Sequence, residues 1–300
     1  MKAGLRRWLF GRIVTWLIRE KEATGPPICD FDQLATEIRP CDVLLVEGRS
    51  RVSDVIKAIT QSPWTHSALY LGRLREIPDP DLRERIREHY DGDDDDQLVL
   101  EALLGHGTIV NPLDKYRQDN LRICRPTGLS RSDIWRVIDF ATHHLGCRYD
   151  VRQLLDLARF LFPWGILPRR WRSSLFEHNA GGPTRTVCSS LIAAAFSSVH
   201  FPILPLVRHD ENGAVRLYKR NSRLYTPRDF DYSPYFEIIK HPYYGFQEVA
   251  IYRQLPWDRE GAIYNDEELE LPAAGDYIQD MEETPDPPPL APEGGNPITR

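Results

Sequence analysis

The sequence predicts an α+β protein, and three observations carry that reading. Short apolar runs of β type recur at Asp42–Glu47 (DVLLVE), His66–Leu71 (HSALYL) and Gln97–Ala102 (QLVLEA). Segments with helical spacing lie between and after them without strict βαβ alternation. Cys188–Val199 (CSSLIAAAFSSV) is small and apolar on nearly every side, the pattern of a helix in the middle of a core.

In chain order, residues 1–25 form a separate element with six bases and two acids. On a helical wheel Leu9, Phe10, Ile13, Trp16 and Leu17 fall on one side, with Arg12 and Arg19 on the other. Three readings stand open: a helix lying in a membrane interface through residues 5–18, a helix packed on the core, and a signal peptide. Arg12 interrupts the apolar stretch and no convincing small-x-small cleavage site follows, so the signal peptide is the weakest of them. Gly25-Pro26-Pro27 ends this element. Phe31–Arg39 is a short helical lead-in to the first strand. Ser53–Thr60 places Val55, Ile56 and Ile59 on one helical face, and Pro63 stops it. Arg73–Gln97 is highly charged, with a helix expected at Leu82–His89 followed by the solvated run DGDDDD. Those aspartates lack calcium-loop spacing.

Gln97–Ala102 and Thr108–Val110 read as paired strands around a Gly105–Gly107 turn, and Leu121–Arg125 as another strand. Ser130–Leu145 is a helix with a serine cap. A second helix is expected at Val151–Phe162, and late strands at Phe236–Ile239 and Glu248–Tyr252. From Asp258 to Arg300 twelve acids face two bases, a net of −10, and seven of the 24 prolines crowd there. Such a stretch cannot bury enough apolar surface to offset its ordering entropy and is expected to be disordered. The domain reading is therefore 1–25, a catalytic body at 26–257, and the acidic tail at 258–300.

Charge and cysteine usage exclude several classes. The chain carries −6 overall, so residues 1–257 carry +4, too mild a charge to argue for nucleic acid. No run of 18 apolar residues suggests a membrane span. The five cysteines form an odd set without framework spacing, which disfavours a disulfide scaffold and favours a reducing compartment. Neither CxxC nor HExxH occurs, so the common zinc signatures are absent and no metal or other cofactor is implied.

The chemistry-bearing residues are few. Cys188 follows a loop rich in Gly, Pro and Thr and opens the buried helix. The positive end of the helix dipole and free backbone N–H groups there favour thiolate, although free cysteines are commonly buried and inert. His66 opens a strand directly after Ser62-Pro63-Trp64-Thr65, a position from which an imidazole can face a cleft; a core histidine is the alternative. Glu101 ends the apolar run Leu98-Val99-Leu100, and an acid within a buried strand wants a partner. An adjacent strand carrying His66 would supply one, while a surface-facing side chain is the alternative. Tyr149, in Gly146-Cys147-Arg148-Tyr149-Asp150, lies between two helices, its hydroxyl either reaching a cleft or merely half-buried.

The order Thr65-His66-Ser67, then Glu101-Ala102, then Gly146-Cys147-Arg148-Tyr149-Asp150, then Cys188-Ser189 at a helix start resembles the circularly permuted NlpC/P60 group of papain-like cysteine hydrolases, in its YiiX/YaeF-type branch. The resemblance spans about Arg39 to Tyr235, including Arg39-Pro40-Cys41-Asp42-Val43 and Thr226-Pro227-Arg228-Asp229-Phe230. It implies a permuted papain-like fold, with an antiparallel sheet packed against helices. By position it implies Cys188 as nucleophile, His66 as general base and then acid, Glu101 as the orienting third residue, and Tyr149 lining the site near the oxyanion. Relatives often have an acid two residues after the cysteine; Ser190 stands there in this chain.

The chemistry implied is acyl transfer on an amide or ester. Between Tyr149 and Cys188 the chain is rich in Leu, Phe and Trp with flanking Arg, either an apolar rim accepting an acyl chain or a helical cover for the core. With the N-terminal helix, this favours a lipid or lipidated substrate at a membrane surface, and a cytoplasmic protein at the inner face of the membrane. A catalytically silent lipid- or peptide-binding module and a murein peptide endopeptidase are the alternatives.

Overall fold

The structure is a computed structural model that describes residues 12, 19–21, 27–149, 185–186, 188–209 and 213–242. Ten strands and six α-helices are seen among them. The strands are β1 Val43–Glu47, β2 His66–Arg73, β3 Gln97–Leu103, β4 Gly107–Pro112, β5 Asn120–Pro126, β6 Arg148–Tyr149, β7 Arg185–Thr186, β8 Leu206–His209, β9 Val215–Tyr218 and β10 Phe236–Ile239. The helices are α1 Phe31–Glu37, α2 Arg51–Thr60, α3 Pro80–Arg87, α4 Arg131–Thr142, α5 Cys188–Ser198 and α6 Pro227–Tyr232.

Six strands form one sheet in the order β10-β5-β1-β2-β3-β4, every neighbouring pair antiparallel. Strand β1 sits inside this sheet with both faces covered, which explains why DVLLVE is an unbroken apolar run rather than an alternating one. Val43 and Leu45 join Leu69, Leu71, Leu98 and Leu100 on one face, where α3, α4 and α5 pack. Leu44 and Val46 join Ala68, Tyr70, Val99 and Ile123 on the other, against Phe31 and Leu34 of α1. The fold is therefore α+β, as the mixed helix and strand pattern predicts.

Local chemistry sets the element ends. Ser50 and Ser130 cap α2 and α4 through their side chains, accepting from Ser53 N–H and Asp133 N–H. Thr226 and Asp229 form a capping box on α6, with Pro227 in the first turn. In the Arg39-Pro40-Cys41-Asp42-Val43 stretch, Asp42 is 1% exposed and is held by Arg125 at 2.9 Å and by the Arg39 N–H at 2.8 Å. Arg125 also donates to the Glu37 carbonyl at 2.7 Å, so one guanidinium ties β5 to both β1 and α1. Across the sheet, Phe196 of α5 stacks edge-on to Phe236 at 5.3 Å and tilts against Phe201 at the same distance.

Several sequence expectations shift in detail. The charged insertion between β2 and β3 is more than a solvated surface, because Leu82 and Ile86 of α3 are fully buried in the core. Its aspartates pair with nearby arginines, Arg87 with Asp94 and Arg75 with Asp95. The helix expected to run to Leu145 stops at Thr142, and the one expected to end at His89 stops at Arg87. The β8–β9 hairpin and helix α6 were not anticipated. Three of the expected features lie outside the described residues: the second helix at 151–162, the late strand at 248–252 and the tail at 258–300. Most of the N-terminal helix expected at 1–25 does too; of its described residues Arg12 is helical, whereas residues 19–21 are not and Glu20 bridges to Ser50.

Candidate active site

His66 is the first residue of β2, paired with Val46 of β1. The turn before it is tightly held. Thr65 N–H donates to the Val46 carbonyl at 3.1 Å, and its hydroxyl accepts from Gly48 N–H at 2.9 Å. A Cβ on Gly48 would stand 2.7 Å from that hydroxyl and 2.4 Å from Ser53 Oγ, so only glycine fits. Strand β2 pairs with β3 in the register Leu69↔Leu100, and side chains alternate between faces. His66 and Glu101 therefore emerge on the same face, in diagonal positions.

The two side chains meet there. His66 Nε2 lies 2.7 Å from Glu101 Oε2. The Glu101 side chain is wholly buried. Its Oε1 accepts from Asn111 Nδ2 and from Lys115 Nζ, each at 2.7 Å, and Oε2 also accepts from the Tyr116 hydroxyl. Burial alone would raise this carboxyl, but His66 and Lys115 together hold it far below the usual range, so it is an anion.

With Nε2 committed to Glu101, Nδ1 is the ring nitrogen left for another partner. The Cys188 thiol interacts with this imidazole, and each governs the other's ionisation. Burial opposes the charge on His66, yet the Cys188 sulfur and then Glu101 raise its pKa to about 10. Burial likewise raises the Cys188 thiol, but the His66 cation, with the Ser67 N–H, brings it below its ordinary 9.0. Each group therefore favours the charged form of the other, an imidazolium–thiolate pair. Cys188 is the first residue of α5, where the helix dipole adds to the same preference. Ser189 Oγ donates to the Tyr225 carbonyl at 2.7 Å and fixes this first turn. By contrast, burial pushes Cys29, Cys41 and Cys124 upward, so their thiols stay protonated. All five cysteines are unbridged.

Cys188 and His66 open into one cleft of about 430 Å³. Val52 and Ile56 of α2 and Leu103 and Leu104 after β3 give it apolar walls, and His106 and Arg223 add polar groups. Among the described residues no cluster of three or more His, Cys, Asp or Glu side chains is arranged to hold a metal ion.

Of the four residues singled out in the sequence, three converge: Cys188, His66 and Glu101. For Tyr149 only the backbone is described. It pairs with Thr186, two residues before Cys188, through the parallel β6–β7 bridge. Sequence reasoning missed Asn111, Lys115 and Tyr116. A trace of Asn111 was available, since the Gly105–Gly107 turn fixes a hairpin register in which Val99 faces Asn111 and Glu101 faces Ile109. Residues 99, 101, 109 and 111 then share a face. Lys115 and Tyr116 lie on the turn that follows β4, and no local signal points them at Glu101.

A thiol beside an imidazole that a buried carboxylate holds is an arrangement able to carry out acyl transfer. Residues 37–158 match the family described as permuted papain-like amidase enzyme, YaeF/YiiX, C92 family. Over that segment the chain is similar to the YiiX/YaeF-type permuted papain-like family. The segment holds His66, Glu101 and Tyr149 and ends before Cys188. Among solved structures, the metalloprotein yiiX from Escherichia coli O157:H7 aligns over 68% of this chain and 97% of its own, at 14% identity and a TM-score of 0.40. No curated protein matches the sequence.

Proposed function

We propose that the protein cleaves or transfers an acyl group at an amide or ester bond through a Cys188–His66–Glu101 triad. One observation carries this reading: a wholly buried carboxylate, held by four donors, fixes an imidazole whose free nitrogen is left for the only thiol among the described cysteines whose pKa is lowered. In the reaction, the Cys188 thiolate attacks the carbonyl carbon. The His66 imidazolium gives its proton to the departing nitrogen or oxygen, leaving a thioester and a neutral ring. That ring then takes a proton from water or another acceptor as it attacks the thioester, and the thiolate leaves. The Cys188 backbone N–H, at the start of a helix where such groups lack an intrahelical acceptor, is available to the oxyanion, with the Tyr149 hydroxyl as the second donor suggested by family resemblance.

The substrate class we favour is a lipid or lipidated molecule at the inner face of a membrane. Support comes from the apolar cleft walls and the basic, amphipathic N-terminal sequence. The apolar segment 150–184, the other sequence feature behind this reading, lies outside the described residues. Among those residues no helix is long and apolar enough to cross a membrane.

An electrophilic thiol probe followed by peptide mapping tests the triad. Labelling is expected at Cys188 and should depend on His66, with His66→Ala or Cys188→Ala lowering turnover by ~10³-fold or more. A smaller fall is expected for Glu101→Gln, because the dyad persists. Equal labelling in His66→Ala, or labelling spread over all five cysteines, would sink the proposal.

A further inference from the structure

The β8–β9 hairpin has a composition that its surroundings in the fold do not explain. All eight of its strand residues are exposed. Leu206, Val207, Val215, Leu217 and Tyr218 are each 47–60% accessible, and they make up most of the exposed large apolar side chains among the described residues. A two-stranded ribbon with no packed face is at best marginal in water. The register pairs Leu206 with Tyr218, Val207 with Leu217, Arg208 with Arg216 and His209 with Val215. Opposite residues share a face, so one face shows Val207, Leu217, Val215 and His209. The other shows Leu206, Tyr218, Arg208 and Arg216.

Apolar side chains thus point both ways from the ribbon. A protein partner laid on it would cover one face and leave the other in water. A lipid interface covers both. The charges agree: Arg208, Arg216 and Lys219 lie on or beside the strands, and the Arg208 guanidinium sits 6.0 Å from the Tyr218 ring centre. Exposed aliphatics beside a tyrosine and basic groups are the composition of an interfacial anchor on an anionic bilayer. The ribbon also leads within a few residues into Ser222–Leu224, where Arg223 and Leu224 line the cleft of Cys188.

We propose that the β8–β9 hairpin anchors the protein to an anionic lipid surface. The aliphatic side chains enter the boundary between headgroups and acyl chains, and the basic groups pair with headgroup phosphates. This rests on the membrane-surface part of the proposed function and not on its thiol chemistry.

Flotation of the full-length protein with phosphatidylcholine vesicles, with and without phosphatidylglycerol, tests it, together with hydrogen exchange of residues 206–218. The protein should float with the anionic vesicles and the hairpin amides should slow. Val207→Asp combined with Leu217→Asp should lower the bound fraction at least ~10-fold. Arg208→Glu, which reverses an exposed charge, should weaken binding in the same direction. Cys188 labelling should be unchanged in both. Equal flotation of the variants, a wild-type protein that never floats, or unprotected hairpin amides in vesicle-bound protein would each overturn the proposal. So would self-association of the free protein that the aspartate variant abolishes, since the hairpin would then be a protein interface. Loss of His66-dependent labelling with hairpin binding intact would sink the triad and leave the anchor standing.

Discussion

A carboxylate cut off from water stays ionised only where its surroundings replace the lost hydration, and Glu101 has four donors to do so. The consequence passes through His66 to Cys188. With the His66 pKa raised to about 10 and the Cys188 thiol lowered from 9.0, the charged pair is favoured in the range between the two titrations. Below the thiol's own titration the sulfur is protonated and unreactive. As pH approaches about 10 the ring loses the proton it must give to the leaving group. Turnover should therefore follow a bell that rises below pH 9 and falls near 10, and the midpoint of iodoacetamide alkylation at Cys188 should lie below 9.0. In His66→Ala burial is left without its counterweight, so the alkylation midpoint should move above 9.0. A midpoint unchanged by that substitution would show that the two groups do not share their ionisation.

At the scale of elements, the site depends on how α5 docks. Its first residue supplies the sulfur, and its body is fixed by Leu191, Ile192 and Phe196, all buried against the sheet. Phe196 is fully buried and meets Phe201 and Phe236 at 5.3 Å each. Phe196→Ala should destabilise the fold by about 3–5 kcal/mol in urea unfolding, as removing a buried aromatic leaves a cavity that relaxes only in part. Phe196→Leu, which restores much of the volume, should recover more than half of that loss. Similar losses for the two would mean that this cluster does not hold the helix.

For the whole molecule, the same buried anion makes stability depend on acid. The Glu101 carboxyl sits far below its ordinary 4.5 in the fold. Its contribution is complete above 4.5 and is lost as pH falls through the lower, folded value, because the unfolded chain binds the proton first. Glu101→Gln removes the counter-charge of His66 and Lys115, and should cost about 3–5 kcal/mol at neutral pH. Thermal melts recorded from pH 7 down to pH 3 should show that gap narrowing, since the wild-type protein alone loses this term. A constant gap would mean that Glu101 is not the anion described above.

Much of this was legible in the sequence, and the rest was not, for definite reasons. The β-type runs, the serine caps, the buried helix and the three residues Cys188, His66 and Glu101 rest on local patterns: burial period, cap chemistry, and a polar residue inside an apolar run. The same logic overlooked β8–β9, whose strands are wholly exposed and carry apolar side chains on both faces instead of presenting one buried face. It also missed Lys115 and Tyr116, whose meaning lies in what they touch. The sequence by itself determined which side chains carry charge and reactivity and which segments must be buried. Only the tertiary structure decided that a sulfur at residue 188 and an imidazole at 66 share one cleft, with a carboxylate at 101 buried behind the ring. Pairing of β2 with β3 and docking of α5 are non-local, and their closeness comes from the whole sheet closing around its core rather than from any stretch of chain.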